Sequence, residues 1–228
     1  AILLERAFRR FQDPPKAAAP AVLVAGIMNV RRCVAARPRL LTFAAVAAML
    51  YCALPAFRVA AAPAAKLATG QLLVASRKVS DARFKAAVVL LVRYDANSAM
   101  GLILNRPSDL LLSRTLEGVD AARDRHEPVY YGGPVGGTRA LALLRARRAP
   151  ATSSRVVNGV HLISTRSMLE KLLDARIPAR DLRVYMGYAG WQGGRLDAEV
   201  RMGFWHVTPA SAELVFDARP KTLWDRLI

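Results

Sequence analysis

The chain has 228 residues, 54% of them hydrophobic, with 34 Lys+Arg against 17 Asp+Glu. That length holds one large domain or two small ones, and that apolar fraction excludes wholesale disorder. The cysteines are Cys33 and Cys52 and the histidines are His126, His161 and His206, without metal-ligand spacing, so a disulfide scaffold, a Cys-ligated zinc and a Cys nucleophile are excluded after Gly70.

Up to Gly70, ten Lys and Arg face two acidic residues, which gives +8 and leaves +9 for the remainder. The excess is nearly all Arg in an Ala-rich chain, and a GC-rich coding bias gives the same pattern. The charge alone is therefore not a nucleic-acid signature. Residues 1–27 carry Asp13-Pro14-Pro15 and no clear period, and they read as an upstream extension or linker. Residues 28–65 have the anatomy of an export signal. Met28 is an alternative start, and Arg31, Arg32, Arg37 and Arg39 form a basic n-region. Leu40–Phe57 is uncharged, and small residues around Ala60–Ala65 suit cleavage near Lys66. Cleaved signal, uncleaved anchor and buried core helix all stay open, and a retained 40–57 would contact a membrane. The protein is expected to be exported or periplasmic, with a cytoplasmic location as the alternative.

Residues 66–228 form the expected domain. Gln71–Ala75 is a short apolar strand. Ala86–Tyr94 is too apolar for a half-wet strand and is expected to be central and covered on both faces. Asp95–Ser98 is turn chemistry, and Met100–Leu104 completes a hairpin. Leu110–Leu116 reads as a short helix. Val129–Tyr131 and Ala140–Leu144 are strands flanking Gly132-Gly133-Pro134-Val135-Gly136-Gly137-Thr138. That segment has no Lys and reads as a tight buried turn, not a phosphate cradle. Asn158-Gly159 predicts a second hairpin between Val156-Val157 and Val160–Ile163. Ser164–Ala175 is a helix, with Ser167 and Glu170 as a capping box. Leu182–Tyr188 is a strand, Gly194–Met202 a short helix and Phe204–Val207 a strand. Thr208-Pro209 is expected to start a helical turn, and Lys221–Leu227 closes the chain as a helix with Trp224 inward. Hairpins dominate and no βαβ run appears. The fold class is α+β, a single compact domain on a mixed, strongly twisted, partly barrel-like sheet flanked by short helices.

Nucleophile-elbow, P-loop, zinc-protease and dinucleotide motifs are absent, and Ser164–Met186 fails as a helix-turn-helix. The densest unusual segment is Gly187–Glu199, read as a strand, a glycine-punctuated loop and a helix. Its glycines let a backbone approach a ligand, the helix start offers free N–H groups, Arg195 adds charge and Trp191 a flat surface. The competing reading makes the glycines packing devices and Trp191 core. Asp197 and Glu199 diverge on a helix and cannot act as a paired acid and base. Asn105-Arg106-Pro107 ends a strand. The candidate ligand-binding set is Asn105, Arg106, Gly132, Gly133, Gly187, Gly190, Trp191, Arg195 and Glu199. No catalytic residue, metal site or cofactor is assigned.

The domain resembles the AlgH/YqgE family. The likeness rests on Gly70–Ser76, Asp81-Ala82-Arg83-Phe84, Val88–Val92, Ala99–Pro107, Gly132–Val135, Gly187–Trp191, Leu196–Glu199, Trp205 and the closing Phe216…Leu223-Trp224. It spans 70–228. It implies a compact α+β domain on a barrel-like mixed sheet. The family carries a label of transcriptional control but no DNA-reading motif and no agreed activity. Arg77, Ala82 and Arg195 depart from its usual Pro, Pro and Gln. The expected function is a non-enzymatic binding or regulatory domain whose partner is a small anion or a protein. Specific nucleic-acid binding is not expected. A cytoplasmic transcription-related regulator and an unrecognised enzyme such as a hydrolase are the alternatives.

Overall fold

The computed structural model describes residues 66–228. The upstream extension, the signal-like segment and the apolar stretch 40–57 lie outside the described residues. Ten strands make one curled sheet. β1 (Gln71–Ala75), β2 (Val88–Tyr94) and β3 (Ser98–Ile103) run as a meander, and β4 (Pro107–Leu111) leads into a single helical turn, α1 (Leu112–Thr115). After a 3-10 turn at Asp120–Ala122 come β5 (Pro128–Tyr131), β6 (Val135–Arg145), the hairpin β7 (Ser154–Val157) and β8 (Val160–Ile163), and helix α2 (Arg166–Asp174). The chain ends with β9 (Leu182–Gln192), α3 (Arg195–Arg201), β10 (Trp205–Pro209), α4 (Ala212–Val215), a second 3-10 turn at Pro220–Thr222 and α5 (Leu223–Leu227).

The strand order is β10-β1-β2-β3-β9-β6-β8-β7, with β4 and β5 branching from β9. Every neighbouring pair is antiparallel except β5 with β9. The curl nearly closes: Gly70, at the head of β1, lies against the backbone carbonyl of Val156 in β7. The result is an α+β half-barrel, the architecture read from the hairpin-rich pattern.

Burial explains the apolar β2. Val88, Leu90 and Val92 face one core with Leu72, Leu102, Tyr185 and Phe216, while Val89 and Leu91 face a second with Leu73, Ile103, Trp191 and Trp205. Successive strand residues point to opposite faces, so covering both faces demands an unbroken apolar run. A third core lies where Leu169 and Leu173 of α2 meet Ala142, Leu144, Val184 and Met186. Arg183 is buried beside the first core, donating to the Val215 carbonyl and lying 5.1 Å from the Tyr130 ring. Among the described residues no helix is long and apolar enough to cross a membrane.

Four local expectations are corrected. Leu110 and Leu111 extend β4, and only the turn Leu112–Thr115 is helical. Thr165, not Ser167, precedes α2, its side chain makes no capping bond, and Glu170 is instead taken by Arg166 at 2.7 Å. Thr208 and Pro209 continue β10 opposite Leu72 and Gln71, and the following helix is capped by Ser211, whose hydroxyl accepts from the Leu214 amide. β10 ends the strand order, so no partner on its outer side needs the proline's missing N–H. β9 runs through the glycine-punctuated segment to Gln192 and pairs there with β3, leaving only Gly193-Gly194 before α3.

Candidate functional site

One surface cleft of about 310 Å³ collects much of the chain's unusual chemistry. Its floor is aromatic. Phe84, Trp191 and Trp205 lie with ring centroids 5.9–6.1 Å apart, and the two indoles cross at 82°. Two edge-to-face contacts and the stacked Phe84–Trp191 pair give a rigid floor, and the rings are too close to admit a ligand between them. The loop Lys78–Phe84 forms one wall. Pro134, Val135 and Gly190 form the other, and Arg195 and Glu199 of α3 close the end.

Glu199 is the structural centre. Its Oε2 accepts the indole N–H of Trp191 and that of Trp205, both at 2.9 Å, and its Oε1 accepts from Arg195 Nε at 3.1 Å. One carboxylate thus ties α3 to β9 and β10. Asp197, two residues earlier, turns elsewhere and accepts the Tyr94 hydroxyl at 2.7 Å, the divergence expected of that spacing. On the loop wall Asp81 accepts from Arg83, and this bond holds the Asp81 carboxyl below its usual value and the Arg83 guanidinium above its own. Lys78 also lines the cleft, its ammonium lies beside Gly203, and it makes no ion pair with any described residue.

Of the nine candidate residues, Gly190, Trp191, Arg195 and Glu199 line this cleft. The other five stand behind it. Asn105 is buried. Its Oδ1 accepts the Val88 amide at 2.9 Å and its Nδ2 donates to the Ala86 carbonyl at 2.8 Å. These bonds bracket Ala86, held at a left-handed φ of 54°, a conformation that an alanine adopts only when its surroundings impose it. Arg106 donates to the carbonyls of Arg83 (2.6 Å) and Lys85 (2.9 Å), and burial lowers its guanidinium pKa. Both side chains therefore shape the loop that carries Asp81, Arg83 and Phe84, and they reach the cleft only through it. Gly132, Gly133 and Gly187 let the segment after β5 cross β9 in backbone contact: Gly132 sits on the Gly187 carbonyl and Gly133 on the Tyr188 carbonyl. The three segments meet, with the Tyr131 amide donating to the Arg106 carbonyl and the Ile103 amide to that of Gly132.

The Gly132–Thr138 segment divides. Gly132 and Gly133 are buried as a tight turn, whereas Val135 already opens β6 and Val135–Arg139 is largely solvent-facing. Lys78, Asp81, Arg83, Phe84 and Trp205 were not among the candidates. The unusual run Asp81-Ala82-Arg83-Phe84 and the family-like Trp205 were visible signals, whereas Lys78 had none. His161 is buried against the Ala146 carbonyl, while His126 and His206 are exposed. Among the described residues no three metal-binding side chains converge.

Comparison with known proteins places this geometry in context. The family model described as AlgH-like matches residues 72–228. A UPF0301 protein of Thioalkalivibrio sulfidiphilus is 33% identical over 159 residues, covering 68% of this chain and 85% of that one. A UPF0301 protein of Xanthomonas campestris is 36% identical over 158 residues, covering 68% and 84%. The solution structure of AlgH from Pseudomonas aeruginosa superposes with a TM-score of 0.59 at 25% identity, over 71% of this chain and 90% of that one. A crystal structure from Corynebacterium diphtheriae, at 20% identity, shares the fold with a TM-score of 0.60 over 71% and 86%. The half-barrel domain thus has relatives in both sequence and structure, and the chain belongs to the AlgH-like family.

Proposed function

We propose that this domain is a non-enzymatic binding or regulatory module that takes an anionic ligand with a flat or apolar body in the cleft above Trp191. The observation that carries this reading is the pairing of a rigid aromatic floor with Lys78, a lining cation that no described residue pairs. A cleft of about 310 Å³ lies at the small end of the range for small-molecule sites. Both cleft carboxylates are already engaged, Asp81 by Arg83 and Glu199 by two indoles and Arg195. A general base needs an acceptor free to take a proton from substrate, so this arrangement favours holding a ligand over transforming one.

Phenyl phosphate joins the two features in one probe, with phenol and inorganic phosphate as its halves. Titration followed by amide and indole chemical shifts should saturate for phenyl phosphate, with the largest shifts at the indole N–H groups of Trp191 and Trp205. Lys78→Ala should weaken it about tenfold, the scale of one charge-assisted hydrogen bond. Equal binding by the variant, or shifts confined to another surface, would refute the reading.

Export is the second part of the proposal. It is supported by the basic run, uncharged stretch and small residues of 28–65. The N-terminus of the native protein tests it: a start at or just before Lys66 is expected, and a soluble protein starting at Met28 or upstream overturns it.

A further inference from the structure

We infer that the cleft receives an extended acidic peptide segment of a partner protein, which adds as a strand to the open edge of β9. This rests on the reading of the cleft as a ligand site and names the ligand class.

The edge is a consequence of the glycine crossing. On one side, Ala189–Gln192 pairs with Ser98–Gly101 of β3. On the other side β6 reaches only Tyr188, opposite Val135. Beyond that point no described residue is hydrogen-bonded to the second edge of Ala189–Gln192. Gly193-Gly194 then turns the chain away into α3. Backbone N–H and C=O groups alternate in direction along an antiparallel strand. One of the two neighbours Gly190 and Trp191 must therefore present both groups to this side. A single peptide residue placed there gains two hydrogen bonds.

Native edges are commonly guarded by charge, proline or a covering element. Ala189-Gly190-Trp191-Gln192 carries neither charge nor proline, and Gly190 is exposed. The edge borders the cleft itself, since Pro134, Val135 and Gly190 are one of its walls. Val135 keeps 39% of its surface exposed beside it, an apolar contact for alternate side chains of an added strand. That is the arrangement of strand-addition sites, where the backbone supplies affinity and neighbouring pockets supply selectivity.

Charge selects the partner. Lys78, Arg83 and Arg195 rim the cleft against Asp81 and Glu199, and residues after Gly70 carry +9. A carboxylate-bearing segment complements this surface, and a basic one is repelled.

The test uses the full chain and an acetylated pentapeptide of alternating valine and glutamate. Two further copies are N-methylated, one at the third residue and one at the fourth, which removes a donor without altering charge. Binding should protect an amide at Gly190 or Trp191 from hydrogen exchange. One of the two methylated peptides should bind at least tenfold more weakly, because only alternate amides face β9. A valine–lysine peptide should also lose at least tenfold. Equal affinity of both methylated peptides with the parent would overturn strand addition, and equal affinity of the lysine peptide would overturn the acidic assignment. Saturable binding of phenyl phosphate without the peptide would sink this inference while leaving the cleft reading intact. Absence of both would sink the two together.

Discussion

Gly133→Ala should prevent the native fold, or cost it more than about 4 kcal/mol, the range reserved for changes that the structure cannot relax around. Gly133 is buried with φ at 151°, a region that side chains other than glycine's hydrogen rarely enter. A Cβ there would overlap the Tyr188 carbonyl and the Ala189 amide nitrogen. Those atoms are backbone of β9, which is hydrogen-bonded to β3 on one edge and to β6 on the other. No flexible side chain can yield, so relief requires parting the central strands. Gly159→Ala is the internal control. That residue also has positive φ, at 74°, but nothing lies within 4 Å of its would-be Cβ, and the cost should stay near 1 kcal/mol. Denaturant unfolding of the two variants measures the difference. Similar midpoints would show that the crossing is not the constraint described.

The contrast between these glycines explains which parts of the fold were legible in the sequence. Signals that act within a few residues are visible along the chain. Asn158-Gly159 makes a tight hairpin whatever surrounds it, and the run Val88–Val92 announces a strand covered on both faces. Gly187 and Gly190 produce the same letters as a loop, yet they lie within an eleven-residue strand. Their packing is set largely by partners far away in the chain: Gly133 and Val135 against Gly187, and the Val135 side chain, together with the adjacent Tyr188 ring, against Gly190. The capping box failed for a local reason: the helix already starts at Arg166, which puts Ser167 inside its first turn and pairs Glu170 with Arg166.

The candidate site divides along the same line. Asn105 and Arg106 drew attention as unusual residues at a strand end, and they are constrained, but by the loop they support. The residues that face the cleft from the loop, Lys78, Asp81 and Phe84, lie more than a hundred positions from Trp191 and share no period with it. Only the curl of the sheet joins them. An unusual segment therefore reports that a residue is constrained without reporting whether the constraint is a ligand or another strand. Trp191 and Glu199 are cases where both readings meet: the indole is buried and hydrogen-bonded, and it is still the floor of the cleft.

Glu199→Ala therefore separates structural from electrostatic roles at that floor. Trp191 and Trp205 are 6% and 5% exposed, and both donate to one oxygen of this carboxylate. Without it, two largely buried indole N–H groups lose their acceptor. An unsatisfied buried donor costs about 1–3 kcal/mol, so the variant should lose roughly 3 kcal/mol in total. For a domain of this size that corresponds to a fall in Tm of about 6–12 °C. Glu199→Gln keeps an oxygen for the indoles but turns an amide N–H₂ toward the Arg195 guanidinium, and it should lose about 1 kcal/mol. Arg195→Ala removes only a side chain that is 74% exposed in its ion pair, and such surface pairs contribute between about 0 and 1 kcal/mol. The expected order of destabilisation is Glu199→Ala, then Glu199→Gln, then Arg195→Ala. Indole proton shifts would locate the cause, because both Trp resonances should move in the alanine variant and neither should move much in Arg195→Ala. If Glu199→Ala were no worse than Arg195→Ala, the indole bonds would contribute little. The carboxylate would then be held for its charge at the cleft, not for the rigidity of its floor.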